Sequence, residues 1–365
     1  MAMTTDWVRG VWERRGFRNR LLWVGLLPAS VVYWVIIHVR NLLFAWGWLK
    51  TKRLSRPVVS VGNLTVGGTG KTPTCIWLAQ ELTKRGLRIG ILSRGYKRKN
   101  TESMVVSPQP LESLSSNSND EILKAGDEPF MMAQLYGQTV AVGPDRDEAA
   151  TLLLRNQNVD LFILDDGFQH RRIQRDFDLL LLGSDATGSL LPAGPFRESK
   201  SSLRRADGLL LTGSQNGWQA LVDGSRACTA FVGSLQPVVL VGFASNHWKE
   251  FPLTLLYRSK IVTVTGVGDP RGLYEIIHQW EGELVETLEF PDHHRYTARD
   301  WQQINRVARL VDLIVTTEKD ILKLIRFPFA TDKLLALRVA MKVENGDSLI
   351  GSIVNKVEQA KEDHR

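Results

Sequence analysis

Cysteine is scarce in this 365-residue chain: only Cys75 and Cys228 occur, far apart and without a CxxC spacing. That excludes a disulfide framework and a thiolate zinc site, and a reducing, cytoplasmic compartment fits best. Internal repeats and low-complexity tracts are also lacking, which excludes solenoids and fibrous arrays. No small-residue cleavage site follows the one long apolar run, so a secretory leader is not indicated. What is present is an apolar fraction of 43%, too high for wholesale disorder, in a chain long enough for one large domain or two ordinary ones. The net charge of +7 favours anionic partners, a class that takes in nucleic acid, phospholipid surfaces and phosphorylated substrates.

The apolar run covers residues 21–49, from Leu21-Leu22-Trp23-Val24 through Val31-Val32-Tyr33-Trp34-Val35-Ile36-Ile37 to Trp46 and Trp48. Up to Val39 it barely reaches the ~20 residues that a spanning helix needs, and it carries Pro28 and His38. Arg14, Arg15, Arg18 and Arg20 precede it; Lys50, Lys52, Arg53 and Arg56 follow. Since positive flanks prefer the cytoplasmic face, cations at both ends argue for a segment lying on one leaflet rather than crossing. The competing reading is a buried helix of a soluble protein. Indole rings suit the headgroup boundary and favour the membrane.

From Pro57 the pattern changes to short apolar runs alternating with amphipathic stretches, the mark of βα units around a mainly parallel sheet. Strands are expected at Val58–Val61, Arg88–Leu92, Thr139–Val142, Leu161–Leu164 and Leu179–Leu182, with a helix from Pro73 to Arg85. The polar stretch from Lys97 to Asp120 reads as an exposed loop around a short strand at Met104–Ser107. A second cycle follows, with strands at Ile261–Thr265 and Leu313–Thr316 around a helix at Arg271–Trp280. This predicts a membrane segment over 1–50, a core over 51–240 and a smaller α/β part over 241–365 that completes the active site, with a linker near 235–260.

One motif dominates. Between a strand and a helix lies Thr65-Val66-Gly67-Gly68-Thr69-Gly70-Lys71-Thr72, a phosphate-binding loop of the P-loop NTPase type whose leading glycine is replaced by Thr65. Glycines there let backbone N–H groups face phosphate oxygens, Lys71 reaches the terminal phosphates of ATP, and Thr72 can ligate Mg²⁺. A P-loop needs an acidic partner for the metal, and Asp165-Asp166 follows an apolar strand, with Asp165 the better placed. Gly266-x-Gly268 hints at dinucleotide binding, but position 271 is Arg where the third glycine belongs, so it is discounted.

Further strings accompany these: Ser93-Arg94-Gly95-Tyr96, Gly126-Asp127-Glu128-Pro129, Asp165-Asp166-Gly167-Phe168-Gln169-His170, Pro195-Phe196-Arg197-Glu198, Pro291-Asp292-His293-His294-Arg295-Tyr296 and Thr316-Thr317-Glu318-Lys319-Asp320. In this order and spacing the chain resembles the tetraacyldisaccharide 4'-kinases over nearly its whole length to about residue 325. Asp269 and Leu273 depart from the pattern, which has Asn and an aromatic there. The resemblance implies transfer of the ATP γ-phosphate to the 4'-hydroxyl of an acylated disaccharide lipid, a tetraacylated glucosamine disaccharide 1-phosphate, at the inner leaflet on the cytoplasmic face of the inner membrane, with a monotopic or single-pass anchor. It implies no nucleic-acid partner, and no obligate protein partner is inferred.

The resemblance also points to Asp127 acting with His293 as the base, a reasonable pairing because an imidazole beside a carboxylate can orient it and tune its pKa. Taken alone, Gly126-Asp127-Glu128-Pro129 equally suits the start of a helix. Of the adjacent His293 and His294, one is expected to be structural. Asp166 or Glu198 would complete the metal shell, and Arg94, Arg171 and Arg172 are candidates for substrate phosphates. A membrane-targeted switch ATPase competes with this reading, but such proteins carry Lys where this chain has Val66. A nucleic-acid-dependent ATPase would need an aromatic-rich basic face, and none is readable.

Overall fold

Val58-Val59-Ser60-Val61 is buried on both faces, as the central strand of a parallel sheet must be, and it forms β1 (Val58–Asn63) at the middle of the first half of the molecule. The computed structural model describes residues 2–362 apart from 99, 110–113, 185, 214–216, 219–221, 223–227, 245–246 and 330–332. Ahead of β1 stand two helices, α1 (Ala2–Trp12) and α2 (Gly16–Ala45). After it come α3 (Lys71–Lys84), β2 (Ile89–Ser93), β3 (Met104–Val106), α4 (Leu114–Ala125), α5 (Asp127–Tyr136), β4 (Val140–Val142), α6 (Arg146–Asn156), β5 (Leu161–Asp165), β6 (Phe177–Leu182) and β7 (Gly208–Leu211). The second half holds β8 (Thr229–Ala244), β9 (His247–Phe251), β10 (Lys260–Thr265), α7 (Arg271–Gln279), β11 (Glu283–Glu289), α8 (Ala298–Ala308), β12 (Leu313–Thr317), α9 (Glu318–Leu324), β13 (Leu334–Val343) and α10 (Gly346–Glu362).

The strands form one 13-stranded sheet in the order β11-β10-β12-β13-β8-β7-β6-β1-β5-β2-β4-β3, with β9 paired to β8. β8 makes it one sheet. Its first residues, Thr229 to Val232, run parallel to β7, and from Gly233 to Gly242 it runs antiparallel to β13. The linker expected near 235–260 is therefore strand and hairpin, followed by a 3₁₀ turn at Leu253–Leu256. Pro237 sits beside the place where the pairing with β13 changes register, a position that tolerates the missing N–H.

The polar stretch is also more ordered than its composition suggests. β3 appears where expected, but Ser115–Asp120 lies inside α4 rather than in a loop. Ile122 and Ala125 of that helix are buried in the core beside α5, so tertiary packing outweighs weak helix propensity. The helix stops at Gly126, whose φ of 95° no L-residue adopts easily.

α2 docks along one side only. Ser30 Oγ donates to the Leu190 carbonyl (3.0 Å), Tyr33 Oη to the Arg197 carbonyl (2.9 Å), and Asn41 Nδ2 to Glu198 Oε2 (3.0 Å). These positions share a helical face; Val31, Val32, Val35, Ile36 and Val39, on the other side, are exposed. By length and composition the helix suffices to cross a membrane, with a mean hydropathy of 1.9 over its most apolar window.

Candidate active site

The loop after β1 is held from behind. Asn63 Nδ2 donates to Thr69 Oγ1 (2.8 Å), Thr212 Oγ1 to the Thr69 carbonyl (2.9 Å), and the Val66 N–H to the Pro195 carbonyl (2.8 Å). Thr65, buried, bridges to Phe196, so the residue standing at the missing glycine serves as strand rather than as cradle. Gly67 and Gly70 have φ of 123° and 82°, a turn that side chains resist. α3 then starts at Lys71 with no side-chain cap on its first N–H groups, leaving those donors and the positive end of the helix dipole for an anion. The Thr72 hydroxyl has no protein partner among the described residues.

Asp165 ends β5 level with Val61 of β1, beside the loop. It accepts from Ser93 Oγ (3.2 Å) and Cys75 Sγ (3.7 Å). Burial, with the nearby carboxylates Glu128 and Asp166, pushes its pKa up to about 7. Asp166, at φ 52°, meets Lys71 Nζ at 3.6 Å and Arg197 Nη1 at 2.9 Å. Burial opposes its ionisation, yet Lys71 and Arg197 hold it below the usual carboxylate range. A divalent cation suits this set: the buried Asp165 carboxyl with no cation in contact, the half-exposed Asp166 next to it, and a free threonine hydroxyl. Among the described residues no cluster of three or more acidic, His or Cys side chains could hold a metal alone. Mg²⁺ does not require one, since it typically takes one or two carboxylates and completes its shell with phosphate and water.

Glu198 lies elsewhere. It is fully buried, and its oxygens receive Arg40 (3.3 Å), Asn41 (3.0 Å), Ser202 (2.9 Å) and Arg205 (2.7 Å). The geometry thus gives it the job of seating α2, and the expected place in the metal shell finds no support.

Across from the loop, Asp127 is the first residue of α5 and Gly126 is the cap, so its side chain is free for other work. Asp127 Oδ2 lies 3.0 Å from His293 Nδ1 and 3.0 Å from Lys323 Nζ. Burial would raise this carboxyl, but the bond to His293 and the Lys323 charge hold it well below its usual range. His293 Nε2 is 3.5 Å from Asp292, so the ring stands between two carboxylates. Its neighbour His294 instead binds Asp300 (3.0 Å) and stacks on Phe290, the structural member of the pair.

A cavity of about 370 Å³ opens here, lined from the first half by Tyr96, Lys97, Gly126 and Asp127 and from the second by Asp292, His293, Arg295 and Lys323. Sequence reasoning missed Lys97, Arg295 and Lys323. For Lys323 a signal existed: it stands three residues after Asp320, one helical turn on, and bridges to it at 3.0 Å. The three candidate arginines are not brought together. Arg94 is exposed in the turn after β2 and Arg172 is exposed with no side-chain partner among the described residues, while Arg171 donates to the Asn41 carbonyl of α2 (2.9 Å). Asp269, where the family pattern has Asn, pairs with Arg271 and with Arg9 of α1.

Comparison with known proteins adds a family. Its sequence model, described as tetraacyldisaccharide-1-P 4'-kinase, matches residues 22–358. Among curated relatives, the tetraacyldisaccharide 4'-kinase of Blochmanniella pennsylvanica is 30% identical over 95% of this chain and 97% of its own length. That of Syntrophus aciditrophicus is 36% identical over 87% and 88%. A crystal structure of the Aquifex aeolicus enzyme, in complex with ATP, is 34% identical and superposes with a TM-score of 0.75 over 92% of this chain and 99% of that one.

Proposed function

This chain belongs to the tetraacyldisaccharide-1-P 4'-kinase family, and we propose the residue roles through which it transfers the γ-phosphate of ATP to the 4'-hydroxyl of a tetraacylated glucosamine disaccharide 1-phosphate. The activity itself follows from membership; the assignment of residues rests on the geometry above. The observation that carries it is the Asp127–His293 pair, which joins the two halves of the sheet at the cavity on the phosphate-loop side.

The loop from Thr65 to Thr72 holds the nucleotide phosphates through backbone N–H groups, and Lys71 leaves Asp166 to bind the terminal phosphates. Thr72, Asp165 and Asp166 would hold Mg²⁺, which supplies neutralising charge on the phosphate oxygens. Because Oδ2 of Asp127 is engaged by His293 and Lys323, Oδ1 is the oxygen left to accept the proton of the acceptor hydroxyl. His293 fixes the orientation of that carboxylate, and Lys323 keeps it ionised until the hydroxyl arrives. Arg94, exposed in the turn after β2, stays the candidate for a substrate phosphate, and the cavity cations Lys97 and Arg295 serve the acceptor. Residues 51–240 thus hold the nucleotide and 241–365 complete the acceptor side.

α2 lies on the cytoplasmic leaflet rather than crossing it. Hydrogen bonds to the body from Ser30 to Asn41 cover about 17 Å of helix, and lipid cannot surround that length on all sides. The apolar face opposite supplies the contact with the bilayer.

Detergent-dispersed acyl-disaccharide 1-phosphate incubated with ATP and the protein should gain the mass of one phosphate, and the acceptor should accelerate ATP turnover. Stimulation by DNA instead, with no mass gain, would overturn the reading.

A further inference from the structure

A second groove, of about 310 Å³, runs where the C-terminal half of α2 lies beside the 3₁₀ turn Lys200–Arg205. Trp34, Ile37 and Leu42 of α2 form its apolar wall, and the guanidinium groups of Arg171 and Arg205 supply its charge. The hydroxyls of Ser199 and Ser201 line it too, held 2.6 Å apart. It contains none of the residues of the Asp127 cavity.

Positive charge exceeds negative here. Two carboxylates act on this cluster: both oxygens of Glu198 are already taken by Arg40, Asn41, Ser202 and Arg205, and Asp178 is taken by Arg175 at 2.9 Å. Arg171 is left with a neutral partner, the Asn41 carbonyl at 2.9 Å, and with the face of Phe44 at 5.1 Å. No carboxylate among the described residues pairs with it. A half-buried guanidinium with no carboxylate in direct contact is stabilised when an anion arrives. Burial and the neighbouring Arg205 and Arg175 push the Arg171 pKa down to about 10 against the opposing pull of Glu198, which agrees with a cationic field only partly compensated.

We propose that this groove binds the phosphodiester of a bilayer glycerophospholipid, Arg171 gripping the phosphate while the acyl chains follow the apolar wall of α2. The chemistry of the lining favours a lipid over a free ion: one wall is hydrocarbon and indole, continuous with the exposed Val31, Val35 and Val39 stripe of the same helix. A planar fork suits a phosphate oxygen pair. The inference rests on α2 lying against a membrane, and it is separate from the chemistry at Asp127.

Native mass spectrometry of the delipidated full-length protein, titrated with short-chain phosphatidylglycerol, tests it. Wild type should take up one lipid at saturation, and Arg171→Gln should weaken that binding by about tenfold or more, the loss of a charge-assisted bond. Arg171→Lys, which keeps the charge and the packing stem, should fall between them and covers the case in which Arg171→Gln misfolds. Equal lipid binding by wild type and both variants would refute the site. So would displacement of the lipid by the disaccharide 1-phosphate, which would make the groove part of the acceptor site, or equally tight binding of inorganic phosphate, which would make it an anion site without lipid selectivity. Flotation on neutral phosphatidylcholine vesicles separates the premise from the proposal: wild type and Arg171→Gln should both float if the apolar face of α2 holds the membrane, and failure of both to float would remove the premise itself.

Discussion

Lys71, proposed to bind the terminal phosphates, is 15% exposed with Asp166 as its partner. Lys71→Ala should lower kcat by about 10²-fold or more while leaving the thermal midpoint nearly unchanged, because a partly exposed pair contributes little to stability. Steady-state kinetics beside calorimetry checks both halves of that statement. Asp127→Asn should depress kcat with little change in KM for ATP. Its pH behaviour has a definite sign: a carboxyl held low in the folded state contributes stability above its unfolded value of about 4, and that contribution disappears as pH falls below it. Asp165 behaves in the opposite way. Its folded value is raised to about 7, so the folded protein keeps a proton that the unfolded chain has lost, and stability declines as pH rises from about 4 to about 7. Asp165→Asn should therefore raise the melting temperature of the nucleotide-free protein at pH 8 while abolishing transfer; a lower melting temperature would show that the carboxylate is not a source of strain. The loop and the Asp165-Asp166 pair were legible because their chemistry is local and fixed in spacing. Lys323 was legible only in its spacing from Asp320, since its role depends on meeting Asp127 across 196 positions of sequence.

Helices and strands show the same division between local and distant causes. β1 and β10 announced themselves as short runs rich in β-branched residues, and β5 as a short apolar run. α4 did not, because its polar stretch becomes helical through burial of Ile122 and Ala125 against α5. β8 hid for a similar reason: Pro237 reads as a break, and only its register with β13 makes room for it. The case of α2 is mixed, since its hydrophobicity was plain but the face that docks was set by Glu198, a residue expected at the metal. Asn41→Ala leaves one oxygen of a fully buried carboxylate with fewer donors and should cost about 2 kcal/mol in denaturant titrations. The same variant should make α2 more open to protease before the body unfolds, a pattern that a uniform loss of stability would not give.

The whole sheet is joined by the 16 residues of β8, which pair with β7 of the first half at one end and β13 of the second half at the other. Calorimetry should accordingly show one cooperative transition, and a chain cut at residue 240, inside that strand, should not yield two folded pieces. Two separate heat peaks would mean that the halves are independent. Tyr33 and Asn41 of α2 grip the consecutive residues Arg197 and Glu198, and Arg197 in turn holds Asp166. In the proposed placement of α2 on the leaflet, the helix is riveted, two residues deep, to the floor of the phosphate loop, and the cleft would keep a fixed height and tilt above the lipid. An acceptor must be lifted to that height by its own headgroup, with its tails still moored below, and the reach of a disaccharide becomes the ruler that decides which hydroxyl arrives.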